Sequence, residues 1–408
     1  MTTLQTLSLL SRFVYFAIAI LAVFLASLHA HAADKCLTTL KPLVIQIEFN
    51  DIPRNIGTPF VKKKFLNELD EYIREMSSNR VCINGEITEK WYRLPKPMAN
   101  YWVPWQNNQV DRQNVRNLVS DSLNAADDDY DVSKYDFVML VLAANFKEWG
   151  NQGIAAYPGI LGWKSDEILY TKSGRKVNRG IAVYAQSVHL GHIFHDVGHV
   201  LGGVKDGNRV LPCLYDQTLQ GRSTSRDPSK AFENFTASQI HMGGWDPMSC
   251  NSCRQRPAPP GISSWSRLRL GWIDPAKISE VKPGEKVQIR LGPLEDPSSG
   301  TMVIKIPLTS STYYLVENRQ FIGYDKNLPE EGVLIMFAND LNVEGWFGNG
   351  PVRLANANPS VAHLESAAFD IGKNDTFTDA KNGLSIKLVA KDGRAYDILV
   401  ERLPQKSQ

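Results

Sequence analysis

The sequence predicts a mixed α/β domain followed by an all-β domain, and three observations support this organisation. Apolar runs at 43–49 and 135–142 are typical of buried strands, and the segment 60–76 has the apolar spacing of a helix. After residue 275, short alternating strands separated by turn residues dominate the chain. We therefore expect an α+β domain at 33–273 and a β-sandwich domain at 274–408.

The elements of the first domain alternate between strand and helix. The run 43–49 is followed by the predicted helix 60–76, a second helix at 107–126, and strands at 135–142 and 180–185. Ser187 is a suitable N-cap for a further helix that runs through His199 and ends at Gly202-Gly203. This last helix carries the chemistry discussed below.

The second domain consists of short strands at the spacing of a β-sandwich. Turn sequences such as Lys391-Asp392-Gly393 separate them. The predicted strands are 286–291, 302–306, 313–317, 333–337, 384–390 and 396–402. Inside this domain, Glu317-Asn318-Arg319 is expected to form a structural polar network.

Composition excludes some classes of function. The chain has 408 residues, 43% hydrophobic and 22% charged, which is ordinary for a globular protein of two domains. Its 45 basic and 43 acidic residues leave a formal net charge of +2, so nothing favours nucleic acid or an anionic membrane as a partner. We expect a monomer.

The N-terminus resembles a secretory signal peptide at 1–32. Arg12 precedes an apolar run from 13 to 28, and Ala30-His31-Ala32 supplies a small-x-small cleavage pattern. An uncleaved anchor is the alternative, but the run is short for a membrane span of roughly 20 residues. The expected location is extracellular or periplasmic, where disulfides form.

Five cysteines follow this segment. Cys36 and Cys82 flank the first strand and helix and are candidates for a staple, while Cys213 can pair with Cys250 or Cys253 and leave one thiol over. Cys250-x-x-Cys253 has the spacing of half a zinc knuckle, but no second such pair exists in the sequence.

Four of the eight histidines lie within eleven residues, at 189, 192, 195 and 199. His195 and His199 are four residues apart, so on a helix their rings can converge on one ion, as in the H-E-x-x-H zinc motif. Asp196 stands where that motif has its catalytic glutamate. Aspartate has the same proton-transfer chemistry but is one methylene shorter, and a misplacement of about 1 Å can lower a rate on the order of a hundredfold.

The chain resembles the immune inhibitor A-like secreted zinc metallopeptidases of the metzincin type. His195-x-x-Gly198-His199-x-Leu201-Gly202 is similar to their H-E-x-G-H-x-L-G, and the segment 211–216 to their L-P-D-L-Y-D. The segment 244–249 is similar to the region whose methionine, here Met248, forms the Met-turn under the metal. Similar segments at 265–272 and 314–329 follow in the family's order.

The resemblance implies a zinc site but leaves its third ligand open. In the family an aspartate of the L-P-D segment completes the site, whereas here 203–210 is inserted and Cys213 occupies that register. Asp206 is our first candidate, Cys213 and Asp216 are alternatives, and a site without a third protein ligand is a further one. Calcium is kept as a second candidate ion.

Two functions are therefore predicted from different classes. The first is a secreted zinc endopeptidase in which Asp196 is the general base and Tyr215 a candidate stabiliser of the transition state. The alternative is a weakened or inactive pseudoprotease that binds proteins or glycans, which the substitutions at 196 and 213 favour.

Overall fold

A computed structural model describes residues 36–52, 54–101, 112–144, 156–157, 169–220, 236–250 and 258–404. The predicted signal peptide, residues 107–111 of the second predicted helix, and Cys253 lie outside these ranges. Among the described residues, no helix is long and apolar enough to cross a membrane. The mixed α/β character predicted from the sequence is confirmed, with several sheets and few helices.

A six-stranded sheet forms the centre of the N-terminal region. Its strands are β2 Leu43–Glu48, β4 Glu86–Ile87, β5 Tyr92–Arg93, β6 Val138–Leu142, β7 Ala156–Tyr157 and β8 Ile181–Ala185. In the order β4, β2, β6 and β8, neighbouring strands are parallel; β5 also pairs in parallel with β2, and β7 is antiparallel to β8. The three longest correspond to the predicted strands.

Side chains alternate between the two faces of this sheet, because successive residues of a strand point to opposite sides. Val44, Met139 and Tyr184 contribute to one hydrophobic cluster, while Ile45 and Leu140 contribute to another. Both faces are covered, which explains why these strands read as continuous apolar runs.

Helices cover each face of the sheet. The first predicted helix is present as α1 Thr58–Lys62, a π-helical segment Lys63–Glu68 and α2 Leu69–Met76, and it packs on the same face as α4 Leu190–Gly202. The helix α3 Arg112–Ala126 packs on the opposite face through Val115, Leu118 and Leu123.

The C-terminal region contains a five-stranded and a four-stranded sheet. The first has the order β11 Ile278–Glu280, β13 Val303–Pro307, β14 Thr312–Arg319, β15 Gly332–Asn339 and β16 Val352–Leu354. The second has the order β12 Lys286–Leu291, β19 Ala395–Arg402, β18 Leu384–Asp392 and β17 Thr376–Asp379. One hydrophobic cluster contains side chains of both sheets, such as Ile304 and Val316 from the first and Ile386 and Ile398 from the second. All six predicted strands are present, and β11, β16 and β17 were not predicted.

The two regions share buried contacts. One hydrophobic cluster includes Val197 of α4, Trp265 of α6 Ser264–Arg269, and Val303 and Leu315 of the C-terminal sheet. The boundary at 273/274 therefore stays a prediction about the chain's organisation, since this core is continuous across it.

Two short strand pairs and a short helix lie outside these sheets. The strands β1 Thr38–Leu40 and β3 Val81–Ile83 pair in parallel beside the disulfide Cys36–Cys82, which was the predicted staple. A hairpin of β9 Val204–Lys205 and β10 Asn208–Arg209 follows α4, and α5 Gln217–Gln220 comes after it.

Candidate metal centre

The helix α4 carries the histidine pair. His189 is its N-cap, and His189 Nδ1 accepts a hydrogen bond of 3.1 Å from the backbone N–H of Gly191. The prediction that Ser187 caps this helix is therefore wrong, since the chain enters the helix two residues later. The helix ends where Gly203 adopts φ 66°, a left-handed value that favours glycine.

His195 and His199 lie on one buried face of α4, with ring centroids 4.7 Å apart. His195 Nδ1 is 2.9 Å from the carbonyl oxygen of Pro247, and His199 Nδ1 is 2.7 Å from that of Leu211. A carbonyl oxygen only accepts, so each Nδ1 carries the proton and donates it. Each Nε2 therefore carries an acceptor lone pair, which is the tautomer of a histidine that ligates a metal through Nε2.

Cys213 completes a group of three donors. Its Sγ lies 3.5 Å from His195 Nε2 and 3.5 Å from His199 Nε2. Zinc bonds of about 2.3 Å to sulfur and about 2.0–2.1 Å to nitrogen, at tetrahedral angles, place S and N about 3.5–3.6 Å apart. The spacing thus fits one zinc ion, and all three ligand atoms lie within 4.8 Å of one another.

Burial keeps all three donors neutral in the absence of an ion. It lowers the pKa of His195 and that of His199, and it raises the pKa of the Cys213 thiol to about 12. Cys213 is also a free cysteine, and Cys250 is bonded in another disulfide, so the predicted pairing of Cys213 with Cys250 is wrong.

The turn at 245–249 packs against α4, the helix that carries His195 and His199. Met248 is fully buried, and a Cβ added to Gly198 would lie 3.4 Å from its Sδ, so the glycine lets the helix approach the methionine closely. The Leu214 N–H donates to the Met248 carbonyl at 2.8 Å, which joins this turn to the segment that carries Cys213. Asp246 Oδ1 accepts from the Met248 N–H at 2.8 Å and holds the turn in place.

Asp196 is buried on the same helix, and its Oδ2 has no hydrogen-bond partner among the described residues. Desolvation raises the pKa of Asp196 to about 7, against the opposing effects of His195 and Arg209. A carboxyl group with a pKa near neutrality can both accept and return a proton.

The other candidate residues occupy different positions. Asp206 is exposed at the tip of the β9–β10 hairpin, where it has φ 52°, and is outside the group of three donors. The buried Asp216 caps α5: its Oδ1 accepts from the N–H groups of Thr218 and Leu219, and its Oδ2 from that of Gly348. The structure thus does not bring our first candidate for the third ligand, Asp206, to the histidines.

Tyr215 packs parallel to the His195 ring at a centroid distance of 6.1 Å. Its hydroxyl interacts with Cys213, and burial raises the pKa of Tyr215 well above its ordinary value, so the hydroxyl keeps its proton. Tyr215 can therefore donate to the Cys213 sulfur and orient it.

Arg209 was missed by the sequence reasoning. Its Nη1 is 3.3 Å from His199 Nε2 and 3.7 Å from Cys213 Sγ. The sequence feature that could have indicated Arg209 is its position near the end of the inserted segment, four residues before Cys213.

Comparison with known families agrees with the resemblance. Residues 54–140 match the family model of the immune inhibitor A peptidase M6 catalytic domain. Over these residues the chain is similar to the immune inhibitor A peptidases. The matched segment begins after β2 and ends within β6, so the similarity covers β4, β5 and part of β6, and α4 lies outside it. No curated protein matches the chain.

Proposed function

We propose that this chain is a secreted zinc-dependent endopeptidase. The observation that carries the proposal is the group His195, His199 and Cys213, whose spacing fits a single zinc ion. The relationship to the immune inhibitor A peptidases supports peptide-bond hydrolysis as the reaction, with proteins or peptides as substrates. The predicted signal peptide supports secretion, and we interpret the C-terminal sheets as a β-sandwich beside the peptidase domain.

In this proposal, Cys213 replaces Asp206 as the third ligand, and the protein donors are two nitrogens and one sulfur. The carbonyls of Pro247 and Leu211 fix the ring orientations through Nδ1, so both Nε2 atoms face the same point. A bound zinc ion supplies Lewis-acid activation of water and of the scissile carbonyl. Calcium has no support, because no second group of this kind exists among the described residues.

Asp196 is the proposed general base and acid. Its pKa of about 7 makes the carboxylate available at neutral pH and lets the carboxylic acid return the proton to the leaving amine. The Oδ2 of Asp196 has no hydrogen-bond partner among the described residues. A glutamate at this position would extend further along the same direction, so we expect the aspartate carboxylate to fall short of the best catalytic position. We assign Tyr215 to holding Cys213 rather than to the substrate.

The test is cleavage of casein by the mature protein loaded with one equivalent of zinc. We expect cleavage that stops in a chelator and returns with zinc, and none from His195→Ala. Cys213→Ser should weaken zinc binding, and with Co²⁺ it should remove the sulfur-to-metal charge-transfer absorption. Zinc-loaded protein without any casein cleavage would contradict the peptidase proposal.

A pseudoprotease that binds proteins or glycans is the second candidate, and the aspartate at position 196 favours it. Asp196→Glu separates the two functions. An activity gain of about a hundredfold means that the base is merely too short, because the longer side chain restores its reach. Persistent inactivity of zinc-loaded Asp196→Glu supports the binding function, with Asp196→Asn as the matched control.

A further inference from the structure

The inserted segment between α4 and Cys213 forms a closed hairpin. Asp206 and Gly207 have φ 52° and 76°, the left-handed values of a two-residue hairpin turn. The Val210 N–H donates to the Gly203 carbonyl at 3.0 Å, so the hairpin returns the chain to the end of α4. This geometry brings the last strand residue, Arg209, back over His199.

Arg209 interacts with the atoms that are suited to hold a metal. Because His199 Nδ1 donates to a backbone carbonyl, His199 Nε2 is an acceptor, and Arg209 Nη1 donates to it at 3.3 Å. The same guanidinium nitrogen lies 3.7 Å from Cys213 Sγ. A lone pair that accepts this hydrogen bond cannot bind a cation at the same time.

The charges of the site lead to the same conclusion. A thiolate at Cys213 would offset only one of the three positive charges that Zn²⁺ and Arg209, whose Nη1 is 3.3 Å from His199 Nε2, would bring together. Two cations at such a distance in a desolvated site repel each other strongly. The bound ion and the inward position of Arg209 therefore exclude each other.

We propose that Arg209 is an intramolecular competitor of the metal: it closes the donor group when no ion is bound and must move out for the ion to enter. The inference rests on the proposed zinc site and adds regulation of that site. It assigns a role to the 203–210 insertion, which is to weaken metal binding and set the metal concentration at which the protein becomes loaded. By thermodynamic linkage, a bound ion disfavours the inward position of Arg209 by the same free energy by which that position disfavours binding of the ion.

The test measures affinity for Zn²⁺ in the full mature chain by competition with a chromophoric chelator. Arg209→Met keeps the length of the side chain but has no donor, and we expect affinity to rise on the order of 10- to 100-fold, the range for a hydrogen bond to a charged group. Arg209→Lys retains the charge but loses the planar fork, and we expect an intermediate affinity. Lys205→Met, an exposed lysine of the same hairpin, is the matched control and should change affinity less than twofold.

Titration in about 0.5 M salt separates contact from long-range repulsion, which such salt screens. A gain in Arg209→Met that persists in high salt supports competition by contact. A gain that disappears in high salt, or one that Lys205→Met reproduces, overturns the inference. Crystal structures of wild type with and without Zn²⁺ provide a test without substitution: Arg209 unmoved beside a bound ion overturns it.

These outcomes differ from failure of the proposed function. If wild type binds one zinc with the same affinity as Arg209→Met, the competitor role of Arg209 is wrong but the zinc site stands. Absence of zinc binding in wild type and in all variants overturns the zinc site and the competitor together.

Discussion

The candidate metal centre lies near a buried network of ion pairs around Arg319. The two differ in how their buried polar groups are partnered. In the network, Arg319 makes a bidentate pair with Asp325 at 2.6 Å and a further pair with Glu317 at 3.0 Å. Arg267 pairs with Glu295, whose pKa burial and Asp325 raise well above its ordinary value. Two guanidinium groups, of Arg267 and Arg319, therefore contact the carboxyl groups of Glu295, Glu317 and Asp325.

The donors of the metal centre have no such internal balance. His195, His199 and Cys213 present electron pairs to one point, and Asp196 Oδ2 has no partner among the described residues. The network also joins the two regions, since Arg319 donates to the backbone carbonyls of Trp245 and Gly261. The comparison teaches that a network of paired opposite charges positions the turn under the site, although its Glu295 Oε2 has no hydrogen-bond partner among the described residues, whereas donors that face one point without a counter-charge can take a ligand.

The largest expected effect comes from breaking the network. Arg319→Met should lower the free energy of unfolding by about 3–5 kcal/mol, because Asp325 and Glu317 are left buried without their partner. Chemical denaturation monitored by circular dichroism measures this. Arg290→Met, which removes an exposed pair with Asp392, is the control and should leave the denaturation midpoint unchanged. A loss under about 1 kcal/mol for Arg319→Met would contradict the structural role of the network.

Replacement of Asp196 in metal-free protein is expected to raise the free energy of unfolding, opposite to the effect of replacing Arg319. The folded pKa of Asp196, about 7, exceeds the ordinary value of 3.8, so its contribution to stability is present below about pH 4 and is lost as pH rises through 7. Asp196→Asn should therefore stabilise the chain at pH 8 by about 2–4 kcal/mol, and less at pH 5. Denaturation in chelator at both pH values tests this, with exposed Asp206→Asn as the control. A gain that is equal at pH 5 and pH 8 would contradict the assigned pKa.

Zinc should complete the unsatisfied cluster. At a concentration 100 times its dissociation constant, an ion that binds only the folded state stabilises by about 2.7 kcal/mol. We expect this shift in wild type and its absence in His195→Ala, with one zinc per chain in the first and none in the second by elemental analysis. Equal zinc content in both proteins would remove His195 from the site.

The smallest effect is expected at His192, the histidine of this helix that does not join the donor group. Its Nδ1 has no partner among the described residues, and burial lowers its pKa to about 3. His192→Ala should retain one zinc per chain and change the free energy of unfolding by less than about 1 kcal/mol, because no hydrogen bond of Nδ1 is lost. Loss of zinc in this variant would extend the metal site beyond the three proposed ligands.

Local patterns were sufficient for most of the fold. The strands at 43–49 and 135–142 and the helix at 60–76 follow from apolar periodicity, which depends only on neighbours in the chain. The strands β11, β16 and β17 were missed because each has only three or four residues and is defined by its pairing partner. The π-helical segment at 63–68 was also not predicted, because apolar periodicity indicated only a helix there.

The sequence by itself determined the histidine pair and the resemblance to a peptidase family, and it indicated Cys36 and Cys82 as candidates for a disulfide that the structure contains. Helical spacing places His195 and His199 on one face whatever surrounds them. Only the tertiary structure places Cys213 and Arg209 beside the two histidines. A two-residue hairpin turn directs Asp206 into solvent and Arg209 toward His199, and the close packing of Met248 and Leu214 brings Cys213 to the ring nitrogens. These outcomes depend on contacts between segments distant in sequence, which spacing along the chain does not encode.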